Sequence, residues 1–184
     1  GHDVLPAMLA AGEKMMAYNF SGYWKDVGTI ESLWEANMDL LDPKVPLELN
    51  DNDWRIYART QALPPQYIAA TANVQNSIIS EGCNVYGTVD FSVLSSDVYV
   101  APDAVVRDSI IMPGARIEEG AVVQYAIVAT DSVVGAGSVV GERPENMENK
   151  DDWGVAVVGP GCRLAPESKV APKEMIDAEE AAKK

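Results

Sequence analysis

The chain has 184 residues, 47% of them hydrophobic and 23% charged, a globular mixture with room for one full domain and part of another. Its net charge of −14 excludes wrapping nucleic acid or lying on an anionic membrane, since both reward Lys and Arg. No apolar run is long enough to span a bilayer and no signal peptide opens the chain, while two distant cysteines, Cys83 and Cys162, with no CxxC partner point to a reducing, cytoplasmic setting without a zinc site.

The opening GHDVLPAML begins in periodic sequence without an initiator Met, as expected of a piece of a longer protein. DVLPAMLAAG predicts a short helix with Asp3 near its start and Gly12 at its end. KMMAYNF predicts a strand, GYWKDV a second strand or strand-like turn, and TIESLWEANMDLL an amphipathic helix striped by Leu33, Trp34, Asn37, Leu40 and Leu41. This is α/β material without enough strands to complete a sheet. Residues 42–71 carry four prolines and irregular patterning, the mark of a linker, with one candidate strand at WRIYA.

From Gln75 the chain becomes a repeat: QNSII, SEGCNV, YGTV; DFSVL, SSDVYV, APDAVV; RDSII, MPGARI, EEGAVV; QYAIV, ATDSVV, GAGSVV. Leu94, Ile111 and Val128 fall 17 residues apart, as do Val100, Ile117 and Val134, and Val106, Val123 and Val140. After an interruption, GPGCRL and APESKV resume the period. The third slot of the nine hexads is Gly82, Asp97, Asp103, Gly114, Gly120, Asp131, Gly137, Gly161 and Glu167, mostly residues that tolerate positive φ or cap a turn locally. Pro102, Pro113, Pro160 and Pro166 pre-set four of the corners. The fourth slot is small in eight of nine cases, Val98 being the exception, and the sixth is always aliphatic. Each unit is therefore one short strand and one corner, three units close a triangular coil, and coils stack on an aliphatic column. Val, Ile, Gly and Pro at this density disfavour the competing reading of amphipathic helices. The tail PKEMIDAEEAAKK predicts a charged helix.

These units resemble the hexapeptide repeat of left-handed parallel β-helices, and left-handedness is implied by that resemblance alone. Many proteins with such repeats are acyltransferases that use a histidine on the coils as general base. The only histidine here, His2, lies outside the repeat. Cys83 and Cys162 occupy the small-residue slot and read as packed hydrophobes rather than reactive thiols.

Taken together, GYWKDVGTIESLWEANMDLLDP, NDWRIY, LPPQYI, NSIISEGCNVYGTV and DSIIMPGARIEEGAVV closely resemble the C-terminal part of bacterial-type glucose-1-phosphate adenylyltransferase over about residues 1–140. The resemblance implies a mainly β chain in four parts. The end of a nucleotidyltransferase domain occupies 1–41, a linker 42–71, a left-handed β-helix 72–172 and a charged helical tail 173–184. It implies an intact cytoplasmic enzyme, a homotetramer, that makes ADP-glucose and pyrophosphate from ATP and glucose 1-phosphate for glycogen synthesis, with the β-helix serving assembly and regulation. The family's glycine-rich phosphate loop and its sugar-binding residues have no counterpart in these 184 residues, so the chain holds no complete catalytic set and is expected to be inactive alone. The family pattern W-x-D-x-G-T falls on Trp24, Asp26, Gly28 and Thr29. In similar enzymes this aspartate helps hold magnesium, which makes Asp26 the candidate metal ligand; the competing reading is a carboxylate capping the helix that begins near Thr29. Lys25 beside it reads as an exposed lysine. Tyr23, Trp24 and Trp34 read as surface that packs on absent strands and promotes self-association. Two alternatives are a non-catalytic regulatory subunit of the same system and another sugar-nucleotide enzyme with an acyltransferase β-helix. The interruption GERPENMENKDDWGVAV is a candidate regulatory loop. In enteric-type relatives the comparable segment is arginine-rich and helps bind a sugar bisphosphate, whereas here carboxylates outnumber Arg143 and Lys150.

Overall fold

A computed structural model describes residues 1–47, 49, 51–55, 57, 62–181 and 183. From Tyr67 to Ile176 the chain runs through strands of two or three residues that assemble into three parallel sheets. The first face stacks Tyr67–Ile68, Asn84–Val85, Tyr99–Val100, Arg116–Ile117 and Val133–Val134. The second stacks Asn73–Gln75, Thr88–Asp90, Val105–Arg107, Val122–Gln124, Val139–Val140 and Lys169–Val170. Ile78–Ile79, Val93–Leu94, Ile110–Ile111, Ala126–Val128, Ala156–Val158 and Met175–Ile176 make the third. The chain visits the three faces in turn, so each circuit is one coil of a triangular β-solenoid.

Register follows the repeat. Leu94 pairs with Ile111 and Ile111 with Val128, the 17-residue step read from the sequence. The four-residue unit YGTV shortens the first coil, so Val74 pairs with Val89 and Ile79 with Leu94. Gly87 sits at this tightened corner, where a Cβ would come within 2.3 Å of the Ala104 carbonyl oxygen, so only glycine fits. Across the interruption the step lengthens, and Val128 pairs with Val158.

All nine third-slot residues of the hexads have positive φ, the aspartates and Glu167 included. All nine fourth-slot residues and all nine sixth-slot residues are buried. At about 1.5–3 kcal/mol for each aliphatic side chain taken fully out of water, the interior column is the main stabilising term. A further corner precedes the third face, with positive φ at Asn76, Phe91, Asp108, Tyr125 and Gly141. The hydroxyls of Ser92 and Ser109, which follow two of these residues, donate to carbonyls two residues back and accept the N–H of the next coil, so neighbouring coils are stitched at this edge.

Two solenoid rungs lie in segments read otherwise from the sequence: Tyr67–Ile68 within the proline-bearing linker, and Met175–Ile176 within the charged tail. The tail's helix, α3, is only Ala178–Ala181, and Ala181 is buried against the last coil. Of WRIYA, residues 56 and 58 lie outside the described residues; Trp54, Arg55 and Tyr57 carry no strand.

At the front, helix α1 spans Val4–Ala10 and buries none of its residues; it closes toward Gly12, whose φ is +70°. The expected strand KMMAYNF does not form, and of the two readings of GYWKDV, strand or strand-like turn, the strand does not: residues 14–20 and 22–27 join no ladder among the described residues, and a strand exists only through a partner's ladder. Helix α2, Ile30–Met38, forms as expected. Thr29, in extended conformation, accepts from the Ser32 N–H while the Ser32 hydroxyl accepts from the Thr29 N–H, a reciprocal capping box. A single 3-10 turn, Asp39–Leu41, ends it before Pro43.

The stripe of α2 packs on the outer surface of the third face. Leu33, Trp34, Met38 and Leu41 meet Val93, Ile110 and Ile127. Trp34 therefore does not wait for absent strands. Its indole N–H donates to the Asp108 carbonyl at 2.7 Å, and its ring lies 5.7 Å from that of Tyr125. Among the described residues, no helix is long and apolar enough to cross a membrane.

Candidate functional site

Asp26 lies on the irregular segment between Gly22 and Gly28, just before α2. Its side chain is exposed and makes no hydrogen bond or ion pair among the described residues. It does not cap the helix, because Thr29 and Ser32 satisfy that end between themselves. The carboxylate is uncommitted.

Its neighbours are committed, and this corrects the reading of Lys25 as a free exposed lysine. The Lys25 ammonium donates to Asp39 Oδ2 at 2.9 Å and pairs with Glu35 at 3.1 Å, keeping only a quarter of its side chain exposed. The Tyr23 hydroxyl donates to the same Asp39 oxygen at 2.9 Å. The hydrogen bond from Lys25 holds the Asp39 carboxyl below the usual carboxylate range, and the same bond raises Lys25. Tyr23 is pushed up by burial and then by Asp39. Of the three aromatic residues read as unsatisfied surface, only Trp24 is open, 74% exposed.

Sequence reasoning missed Asp39 and Glu35 as partners. The signal was present: Tyr23 and Lys25 alternate in the sequence, and Glu35 on α2 and Asp39 in the 3-10 turn that ends it stand four apart, a spacing that aligns side chains.

No three His, Cys, Asp or Glu side chains cluster closely enough to hold a metal among the described residues. Asp26 fits one position in a magnesium shell, since that hard cation takes one or two carboxylates and completes its octahedron with phosphate and water. It cannot hold the ion alone.

Elsewhere the structure removes candidate chemistry. His2 is exposed at the chain start, far in sequence from every coil. Cys83 and Cys162 are buried free thiols, both pushed up chiefly by burial, with Cys83 Sγ donating to the Ser95 carbonyl; they are packed hydrophobes, as expected. The interruption folds back on the solenoid through Trp153, which donates to the Glu142 carbonyl at 2.8 Å and meets Tyr125 edge-on at 5.3 Å.

Comparison with known proteins matches both halves. The GlmU-like, C-terminal hexapeptide family matches residues 65–170, and the nucleotidyl transferase family matches residues 1–43. The chain is 56% identical over 122 residues to the glucose-1-phosphate adenylyltransferases of Bacillus thuringiensis (strain Al Hakam) and Bacillus anthracis, and 55% identical to that of Bacillus mycoides (strain KBAB4). Each alignment covers 66% of this chain and 32% of the relative, so the chain spans about a third of the length of these relatives.

Proposed function

The chain belongs to the GlmU-like, C-terminal hexapeptide family, and from that footing we propose that it is the C-terminal third of a glucose-1-phosphate adenylyltransferase. The observation that carries this reading is the 56% identity to enzymes of that name, joined to the nucleotidyl transferase match that precedes the solenoid in the chain. The intact protein takes ATP and glucose 1-phosphate and releases ADP-glucose and pyrophosphate. It works in the cytoplasm as a homo-oligomer, a homotetramer by family resemblance, with the solenoid as the platform for assembly and regulation.

In this reading Asp26 is one ligand of a catalytic magnesium. Magnesium held there with Asp26 as one ligand would supply charge neutralisation for attack of the sugar-phosphate oxygen on the α-phosphorus of ATP, with pyrophosphate leaving. The contribution of this chain is a carboxylate with no competing partner among the described residues, carried on a segment that is tied to α2 and, through α2, to the solenoid. The coils hold no histidine, the residue that acyltransferases with such coils use as general base.

Pyrophosphate release tests the proposal. The intact enzyme turns over with ATP and glucose 1-phosphate, and the 184-residue chain alone does not. Asp26→Asn keeps the shape and removes the charge, and turnover of the intact enzyme is expected to fall at least a hundredfold at saturating magnesium, on the order of a lost metal ligand. Near-normal turnover by that variant removes Asp26 from the metal site.

A further inference from the structure

Resting on the reading of Asp26 as a magnesium ligand, we infer that Asp39 is a positioning residue, which fixes the one register of residues 22–27 that turns Asp26 away from helix α2.

Exposure alternates along residues 23–26, with Tyr23 and Lys25 partly covered and Trp24 and Asp26 open, so successive side chains turn to opposite sides. Tyr23 and Lys25 face α2, and both donate to one oxygen, Oδ2 of Asp39, at 2.9 Å each. Trp24 and Asp26, the alternate residues, are exposed. A slip by one residue exchanges the two sets and aims the Asp26 carboxylate at Asp39 and Glu35, where like charges repel it. No ladder prevents that slip, because residues 22–27 pair with no strand among the described residues. Glycines at both ends, Gly22 with φ +146° and Gly28, leave the segment free to swivel. Among the described residues, the pair of bonds to Asp39, backed by the Lys25–Glu35 ion pair, is the polar hold on the segment.

The anchor is itself fixed. Asp39 stands between Met38 and Leu41, which are buried against Val93, Ile110 and Ile127 of the third face. Asp39 therefore transmits the position of the solenoid to Asp26 through α2.

Two measurements test this. In the intact enzyme, Asp39→Ala is expected to raise the magnesium concentration for half-maximal rate and to lower kcat, each about tenfold or more, the scale of a small misplacement near the reacting atoms. The KM for glucose 1-phosphate stays within about twofold, because removing a register lock is not removing a sugar contact. In the 184-residue chain, backbone order parameters of residues 22–28 fall below about 0.6 in Asp39→Ala while those of residues 30–38 stay at about 0.85. Asp39→Asn, whose amide oxygen still accepts from both donors, restores most of each effect. Unchanged magnesium dependence in Asp39→Ala, beside an inactive Asp26→Asn, overturns the inference and leaves the metal reading standing. An active Asp26→Asn instead removes the metal reading on which the inference rests. Should Asp39→Ala not fold, Tyr23→Phe with Lys25→Met deletes the same two bonds without touching the helix, and the same readouts decide.

Discussion

Replacing Trp34 by alanine isolates the junction on which the site depends. Trp34 is half-buried between α2 and the third face, donating to the Asp108 carbonyl and lying against Tyr125. A fully covered aromatic ring buries about 150–250 Å². Half of that, at about 25 cal/mol per Å², is worth about 2–3 kcal/mol. The hydrogen bond adds about 0.5–1.5 kcal/mol net. Trp34→Ala is therefore expected to weaken docking of α2 by about 3–4 kcal/mol, and Trp34→Phe, which keeps the ring and loses the N–H, by about 1 kcal/mol. The assay is amide exchange resolved by segment. Protection of residues 30–38 falls by about two powers of ten in Trp34→Ala, while strands such as Val122–Gln124 and Ala126–Val128 keep theirs, since their ladders do not involve α2. Unchanged protection of residues 30–38 refutes the docking. Equal losses in the alanine and phenylalanine variants refute the division between ring burial and hydrogen bond.

The interior column gives a larger, global effect: Ile111→Ala, fully buried between Leu94 and Val128, is expected to cost about 2–5 kcal/mol in urea unfolding, and a loss under about 1 kcal/mol contradicts the packing. Gly135→Ala forces a Cβ to within 2.5 Å of the Leu164 carbonyl oxygen, a backbone atom that cannot yield, so the urea midpoint falls by the equivalent of about 1–3 kcal/mol; an unshifted midpoint contradicts the close approach. The buried thiols set an alkaline limit. Cys83 and Cys162 stay protonated in the fold above the ordinary thiol pKa of about 8.5, so their contribution is whole below that pH and is lost as pH rises through their raised values. The double variant Cys83→Ala with Cys162→Ala flattens the fall in stability above about pH 8.5, and an unchanged slope contradicts the burial argument.

The repeat was legible because every slot obeys one local rule. A corner needs positive φ, the third slot supplies Gly or Asp in eight of nine cases and Glu167 in the ninth, and all nine adopt it. The corner before the third face was not legible, because Asn76, Phe91, Asp108 and Tyr125 share no side-chain chemistry. What they share is the geometry of the corner, with small residues, Ser77, Ser92, Ser109 and Ala126, just after it. The strand expected at residues 14–20, and the strand reading of 22–27 beside its strand-like-turn alternative, failed for the converse reason: alternation signals a surface able to pair, and pairing is a property of the neighbour. Trp34 shows the same limit. Its place on an apolar stripe was evident, but the partner was the outer surface of the solenoid, whose own alternation leaves Val93, Ile110 and Ile127 pointing outward. The position of Asp26 came from a motif, and the network that holds it came only from the structure, because Asp39 meets Tyr23 across sixteen residues.

The interruption between Val140 and Val158 carries the regulatory expectation, and its structure sharpens the charge argument. Glu142 is occupied, accepting from Gln124, Asn146 and the Arg143 N–H. Arg143 sits close enough to Asp108 to oppose the upward push that burial gives that carboxyl. Lys173 reaches up to the Asp151 carbonyl and so anchors the loop from below. The exposed charges left on the excursion are Glu145, Glu148, Asp151 and Asp152 against Lys150. A sugar bisphosphate needs fixed cations, best as guanidinium forks, and meets a negative field here. We therefore expect the intact enzyme to respond to fructose 1,6-bisphosphate weakly or not at all through this loop. Activity is measured against activator concentration at fixed ATP and glucose 1-phosphate, first unmodified, then with Glu145→Arg and Asp151→Arg together. The arginine variant gains a response if charge is the obstacle. Strong activation of the unmodified enzyme, lost when residues 142–152 are removed, refutes the charge argument, because binding would then proceed against the field of four exposed carboxylates.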